Sequence, residues 1–141
     1  MTVNQILSRK GSDIFFVTST ITVYEAIKVM GEKNIGAVLI IEDSKLKGIL
    51  SERDYARKVV LRNKASKDTL VHEIMDQEFM TIKPTDNIED CMELMSTKKV
   101  RHLPVIDNEI VVGIISMSDV VKAIIDMQKT TIQHLDSYIS Q

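Results

Sequence analysis

Gly48-Ile49-Leu50-Ser51-Glu52-Arg53-Asp54 and Gly113-Ile114-Ile115-Ser116-Met117-Ser118-Asp119 decide the fold, because the second stretch repeats the first when residue n is laid on residue n+65. The match needs no gap from Val17 to Val60, and it places Met30 on Met95, Lys33 on Lys98 and Ile41 on Ile106. Further upstream Val3-Asn4-Gln5-Ile6-Leu7 resembles Val71-His72-Glu73-Ile74-Met75 at an offset of 68, so the first half carries three extra residues near Gly11 to Ile14. Self-similarity at a fixed offset marks two copies of one supersecondary unit. Each copy begins at its Val-x-x-Ile.

Working outward, a short apolar strand is predicted around Phe15 to Val17 and again around Phe79 to Ile82. A helix follows in each copy. Val23, Ala26, Ile27 and Met30 recur as Ile88, Cys91, Met92 and Met95, the i, i+3, i+4, i+7 stripe of a helix that packs one face on a core. The runs Val38-Leu39-Ile40-Ile41 and Leu103-Pro104-Val105-Ile106 each lead through acidic or amide residues to a second run, Leu46 to Leu50 or Val111 to Ile115. That pattern reads as strand, turn, strand. After Ser51 and Ser116 the segments Asp54 to Leu61 and Asp119 to Met127 favour helix.

The expected fold class is therefore α/β (α+β), with two βαββα repeats. A unit this small cannot cover both faces of its own sheet, so the two repeats are expected to pack sheet to sheet about a pseudo-two-fold, with a cleft between them. The predicted boundaries are 1–62 for the first repeat, 63–70 for a polar linker, 71–127 for the second repeat and 128–141 for a C-terminal helical extension. In that extension Ile132, Leu135 and Ile139 continue at helical spacing and need a surface to pack on, either the same module or a second copy.

The chain has 141 residues, enough to bury a core of its own, and its 44% hydrophobic and 27% charged residues are those of an ordinary globular protein. A net charge of -2 exerts no long-range pull on polyanions, so no nucleic-acid partner is expected. Apolar stretches such as Ala37 to Ile41 are strand-sized and no basic leader precedes an apolar run, so neither a membrane span nor a secretory signal is expected and the default location is cytoplasmic. The single cysteine, Cys91, can form no internal disulfide.

The doubled Gly, two apolar residues, Ser, two variable residues and Asp resembles the signature of the CBS-domain family, and Arg101-His102-Leu103-Pro104-Val105-Ile106-Asp107 is similarly typical of it. The resemblance runs from Val3 to about Ile125. It implies a tandem pair, or Bateman module, of the kind that binds AMP, ADP, ATP, S-adenosylmethionine or NAD-type ligands and regulates an attached or separate protein. Such pairs also commonly join into homodimers through their helices.

A strand that ends in Ser and opens a helix aims free N–H groups outward, which suits a phosphate, and Ser51, Ser116 and Ser118 add hydroxyls. By the resemblance, Asp54 and Asp119 accept hydrogen bonds from ribose hydroxyls, a task for an ionised carboxylate. The same Ser-x-x-Asp spacing is that of a capping box that needs no ligand, and the residues alone leave both readings open. Arg53 and Arg57 in the first half, and Arg101 and His102 in the second, are the cations for a phosphate. The first half has Gly36 and Ala37 where the second has Arg101 and His102. Family analogy places the adenine among Val17, Thr18 and Ile35 in one half, and among Ile82, Lys83, Leu103 and Pro104 in the other; core packing explains most of these equally well. Arg53 favours a phosphorylated ligand over the positive sulfonium of S-adenosylmethionine.

No nucleophile beside a base, no metal-ligand cluster and no glycine-rich phosphate loop stands out, so neither catalysis, a metal nor a required cofactor is expected. Cys91 lies on the apolar stripe and reads as an inert core thiol; His72 with Asp76 and His134 with Asp136 lack a third ligand nearby. Met30, Met92 and Met95 read as adaptable core filler. Two functions remain: a regulator that senses an adenosine-containing small molecule and acts on a separate target protein, or a structural adaptor with the same fold.

Overall fold

The computed structural model describes residues 1–140. Its elements run α1 (Val3–Lys10), β1 (Phe16–Val17), α2 (Val23–Lys33), β2 (Ala37–Glu42), β3 (Lys45–Ser51), α3 (Glu52–Tyr55), a π-helical turn (Ala56–Val60), α4 (Val71–Ile74), α5 (Ile88–Lys98), β4 (His102–Asp107), β5 (Ile110–Ser116) and α6 (Met117–Ile139). The architecture is mixed α/β, with two small sheets and two compact units.

One unit comprises Asp13–Met80 with Asn108–Val111. Its sheet has the order β1-β2-β3, β1 running parallel to β2 with Phe16 opposite Leu39, and β2 antiparallel to β3 with Ala37 opposite Ser51. All of Ala37, Val38, Leu39 and Ile40 are buried, the continuous apolar strand of a sheet covered on both faces. Val23, Ala26 and Met30 of α2 pack with Val38, Ile40 and Leu50, as the helical stripe predicts. Val71 and Ile74 of α4 join the same cluster. The chain beyond α4 is tied in by paired backbone bonds, Ile49 N–H to Asp76 O at 3.0 Å and Asp76 N–H to Ile49 O at 2.8 Å.

The other unit comprises Met1–Ser12, Thr81–Asp107 and the chain from Val112 onward. Here α1 docks by Val3 N–H to Asp86 O (2.8 Å), Asn4 N–H to Pro84 O (2.9 Å) and Ile88 N–H to Met1 O (3.0 Å). Ile88, Cys91 and Met95 of α5 are buried, but Met92 is 42% exposed, so it sits at the edge of the stripe and does not fill the core. The strand expected over Phe79 to Ile82 is reduced to a single bridge, Ile82 with Val105. The cause is local: Lys83 N–H turns to the Asp86 side chain at 2.8 Å, and Pro84 has no N–H to continue the ladder.

Both hairpins close on two residues with positive φ, Asp43 and Ser44 in the first, Asn108 and Glu109 in the second, the backbone that matches strand twist in a two-residue loop. Beyond Met127 the expected extension simply prolongs α6, whose Ile132, Leu135, Tyr138 and Ile139 are exposed.

Candidate functional site

Each unit builds one corner where a strand ends and a helix begins. At the first, Ser51 caps α3: Asp54 N–H donates to Ser51 Oγ (3.1 Å), while Ser51 N–H and Oγ–H both donate to Asp54 Oδ2 (3.0 Å each). At the second, Asp119 N–H donates to Ser116 Oγ (3.1 Å), Ser116 N–H donates to Asp119 Oδ2 (2.8 Å), and the Ser116 and Ser118 hydroxyls lie 3.0 Å apart. The capping box is thus complete in both halves. The repeat extends to the neighbouring backbone: Glu52 N–H donates to Gly36 O at 3.0 Å, and Met117 N–H to Arg101 O at 2.8 Å.

A lysine that the sequence did not single out completes each corner. Lys10, the last residue of α1, donates to Asp119 Oδ2 (2.7 Å) and to Ile114 O (2.8 Å). Lys58, in the π-helical turn, lies 3.3 Å from Asp54 Oδ1 and donates to Ile74 O (2.9 Å) at the end of α4. Lys58 was legible only as one charge in a mixed run four residues after Asp54, and Lys10 is 109 residues from its partner, beyond any local pattern. Burial works to raise the Asp119 pKa, but the Lys10 bond and the Ser116 amide and hydroxyl outweigh it, leaving the carboxyl below its ordinary range.

The other residues named from sequence fall into the same two sets. In the first unit, buried Val17 ends β1, exposed Thr18 lies 3.2 Å from the Thr20 hydroxyl, half-buried Ile35 and Gly36 precede β2, and buried Ala37 faces Ser51 across the ladder. Arg53 and Arg57 are both exposed. They do not share one regular α-face, because the helix widens to π geometry between them. In the other unit Ile82, Leu103 and Pro104 are buried, linked by Ile82 N–H to Pro104 O at 3.0 Å, while Lys83 and Arg101 are exposed.

His102 opens β4 half-buried. Burial, the largest influence, holds its imidazole below the ordinary pKa; Asp119 pulls the other way, and Lys10 and Arg101 reinforce the lowering. A histidine depressed on folding contributes stability that is complete above its unfolded pKa of about 6.5 and is lost as pH falls through the lower folded value. Urea unfolding at pH 7 and pH 5 should therefore show wild type losing more stability on acidification than His102→Gln. Equal losses would show that His102 titrates as a free surface group.

Chemistry elsewhere is sparse. Burial, with Asp86 and Asp90 adding to it, pushes the Cys91 thiol up to about 11, so it is protonated at neutral pH. Among the described residues no group of three or more His, Cys, Asp or Glu could hold a metal ion, and no helix is long and apolar enough to cross a membrane.

The comparisons with known proteins agree with this geometry. The CBS-domain family model matches residues 3–61 and again 71–126. The mitochondrial CBS domain-containing protein CBSX3 of Arabidopsis thaliana is 34% identical over 98% of this chain and 71% of its own length. A solved protein with CBS domains from Burkholderia ambifaria superposes with a TM-score of 0.87 at 46% identity, covering 89% of this chain and 95% of that one. The CBS domain pair of protein MJ0100, solved with 5-methylthioadenosine and S-adenosyl-L-methionine, superposes with a TM-score of 0.79 at 27% identity, covering 88% and 95%. The chain belongs to the CBS-domain family and carries two of these domains in tandem.

Proposed function

We propose that this CBS pair is a non-catalytic sensor that binds an adenine nucleotide, AMP, ADP, ATP or NAD(H), at the strand-to-helix corners of its repeats, and regulates a separate protein. The observation that carries the reading is the duplicated corner. In each half a helix N-terminus, a serine hydroxyl and an aspartate carboxyl converge, the donor and acceptor set that a phosphate and a ribose diol require. The second corner keeps a free acceptor, since among the described residues no hydrogen bond reaches Asp119 Oδ1.

The MJ0100 pair was solved with two ligands that share adenosine. The charge around the corner bears on which 5′-substituent fits here. Arg53, Arg57 and Arg101 are exposed and carry no ion pair among the described residues, which favours an anionic 5′-substituent over a sulfonium. Val17, Thr18, Ile35 and Ala37 would flank one adenine, and Ile82, Lys83, Leu103 and Pro104 the other. A homodimer built through the helices fits the same reading.

A thermal-shift and calorimetry panel of AMP, ADP, ATP, NAD(H) and S-adenosylmethionine tests it. A nucleotide held at about 100 times its Kd should stabilise the fold by about 2.7 kcal/mol, with the sulfonium ligand ranking last. A flat response to every compound would refute the sensor. It would leave the adaptor, a reading favoured by one observation: both capping boxes are complete without any ligand.

A further inference from the structure

We propose that Lys10 is a strap that makes the docking of the last turn of α1 conditional on the Asp119 carboxylate, so that a ribose diol whose second hydroxyl takes Asp119 Oδ2 from Lys10, beside the first on the free Oδ1, loosens that turn. The inference rests on the nucleotide reading for the identity of the competitor, but the strap itself is a matter of contacts within one unit.

The two ends of α1 are held differently. Its first turn is tied by three backbone bonds, through Met1, Val3 and Asn4, to the segment between Pro84 and Ile88. The hydrogen bonds that hold its last turn to the rest of the unit are, among the described residues, the two of the Lys10 ammonium, and beside them Leu7 packs over Gly113. Of these, the charge-assisted bond to Asp119 is the strong one. Gly11 follows at φ +94 with open space around it, so the chain can pivot where the helix ends.

The first half is built otherwise. Lys58 also links its corner to a helix, through the Ile74 carbonyl, but the chain after α4 is independently fixed by the Ile49 and Asp76 backbone pair. Losing the lysine there leaves two bonds in place. At α1 it removes both lysine bonds and leaves the packing of Leu7. The second corner can therefore report its state through a helix, whereas the first cannot.

The test is amide hydrogen exchange of the full chain, resolved over residues 7–11 and 3–6, with ATP as the probe and its binding measured separately by calorimetry. Saturating ATP should speed exchange at 7–11 by about threefold, the worth of an exposed ion pair, with 3–6 unchanged. Lys10→Met should show the same faster exchange without ATP and no further change with it, Asp119→Asn should resemble Lys10→Met, and Lys10→Arg should retain protection. Bound ATP that leaves 7–11 unchanged or slower, or a Lys10→Met protein as protected as wild type, would overturn the strap. If ATP fails to bind while Lys10→Met and Asp119→Asn still loosen the turn, the nucleotide reading falls and the strap stands.

Discussion

Gly48→Ala is expected to lower the unfolding free energy by about 1–3 kcal/mol, the cost of overpacking, while Gly31→Ala is expected to raise it by about 0.5–1 kcal/mol. A Cβ built on Gly48 would lie 2.9 Å from Met75 Sδ and 3.0 Å from the backbone oxygen of Asp76. The sulfur can turn aside; the carbonyl cannot, because Asp76 is bonded in both directions to Ile49. A Cβ on Gly31, inside α2, meets nothing within 4 Å, so that substitution only restricts the unfolded chain and improves helix propensity. Gly113→Ala should fall at the lower end of the overpacking range, since its close neighbours at 2.7 and 3.0 Å are the methyls of Leu7. Urea denaturation of the three variants checks the order. If Gly48→Ala is as stable as wild type, the motif glycine does not serve the close approach of the segment after α4.

That pair of glycines shows what was legible in the sequence and what was not. The offset of 65 exposed both glycines, both Ser-x-x-Asp corners and the helix, strand, strand, helix order within each repeat, because these follow from local periodicity repeated twice, but the short segments at each Val-x-x-Ile were not read as the helices α1 and α4. The partners of the glycines lie outside the periodic signal. Leu7 meets Gly113 across more than a hundred residues, and residues 1–12 form one compact unit with the second sheet, a pairing decided by fit and not by sequence proximity. Met92 followed the helical stripe and still emerged exposed, because a stripe four residues wide overestimates the face that α5 buries. The strand before Val105 failed at Lys83 and Pro84, where turn chemistry overrode apolar pattern.

The corner itself was read in two ways, and a single pair of substitutions separates them. Asp54→Ala and Asp119→Ala each delete a reciprocal cap and should cost the ligand-free protein about 1 kcal/mol, a loss that both readings require. The sensor adds a second and larger effect. If Asp119 also takes a ribose diol, its variant loses most of the roughly 2.7 kcal/mol that a nucleotide at 100 times its Kd confers, and Asp54→Ala does the same for the other half. Lys10 and Lys58 complicate only the baseline, since each loses its carboxylate but keeps a carbonyl at 2.8 or 2.9 Å. Comparing melting with and without ATP in each variant cancels that baseline and isolates the ligand's share. Asn at the same positions still accepts from the serine amide but offers a neutral oxygen to the ribose, so Asp54→Asn and Asp119→Asn should recover much of the ligand-free stability while binding stays weak. Variants that lose the cap energy yet keep the full nucleotide shift would assign the two aspartates to folding alone.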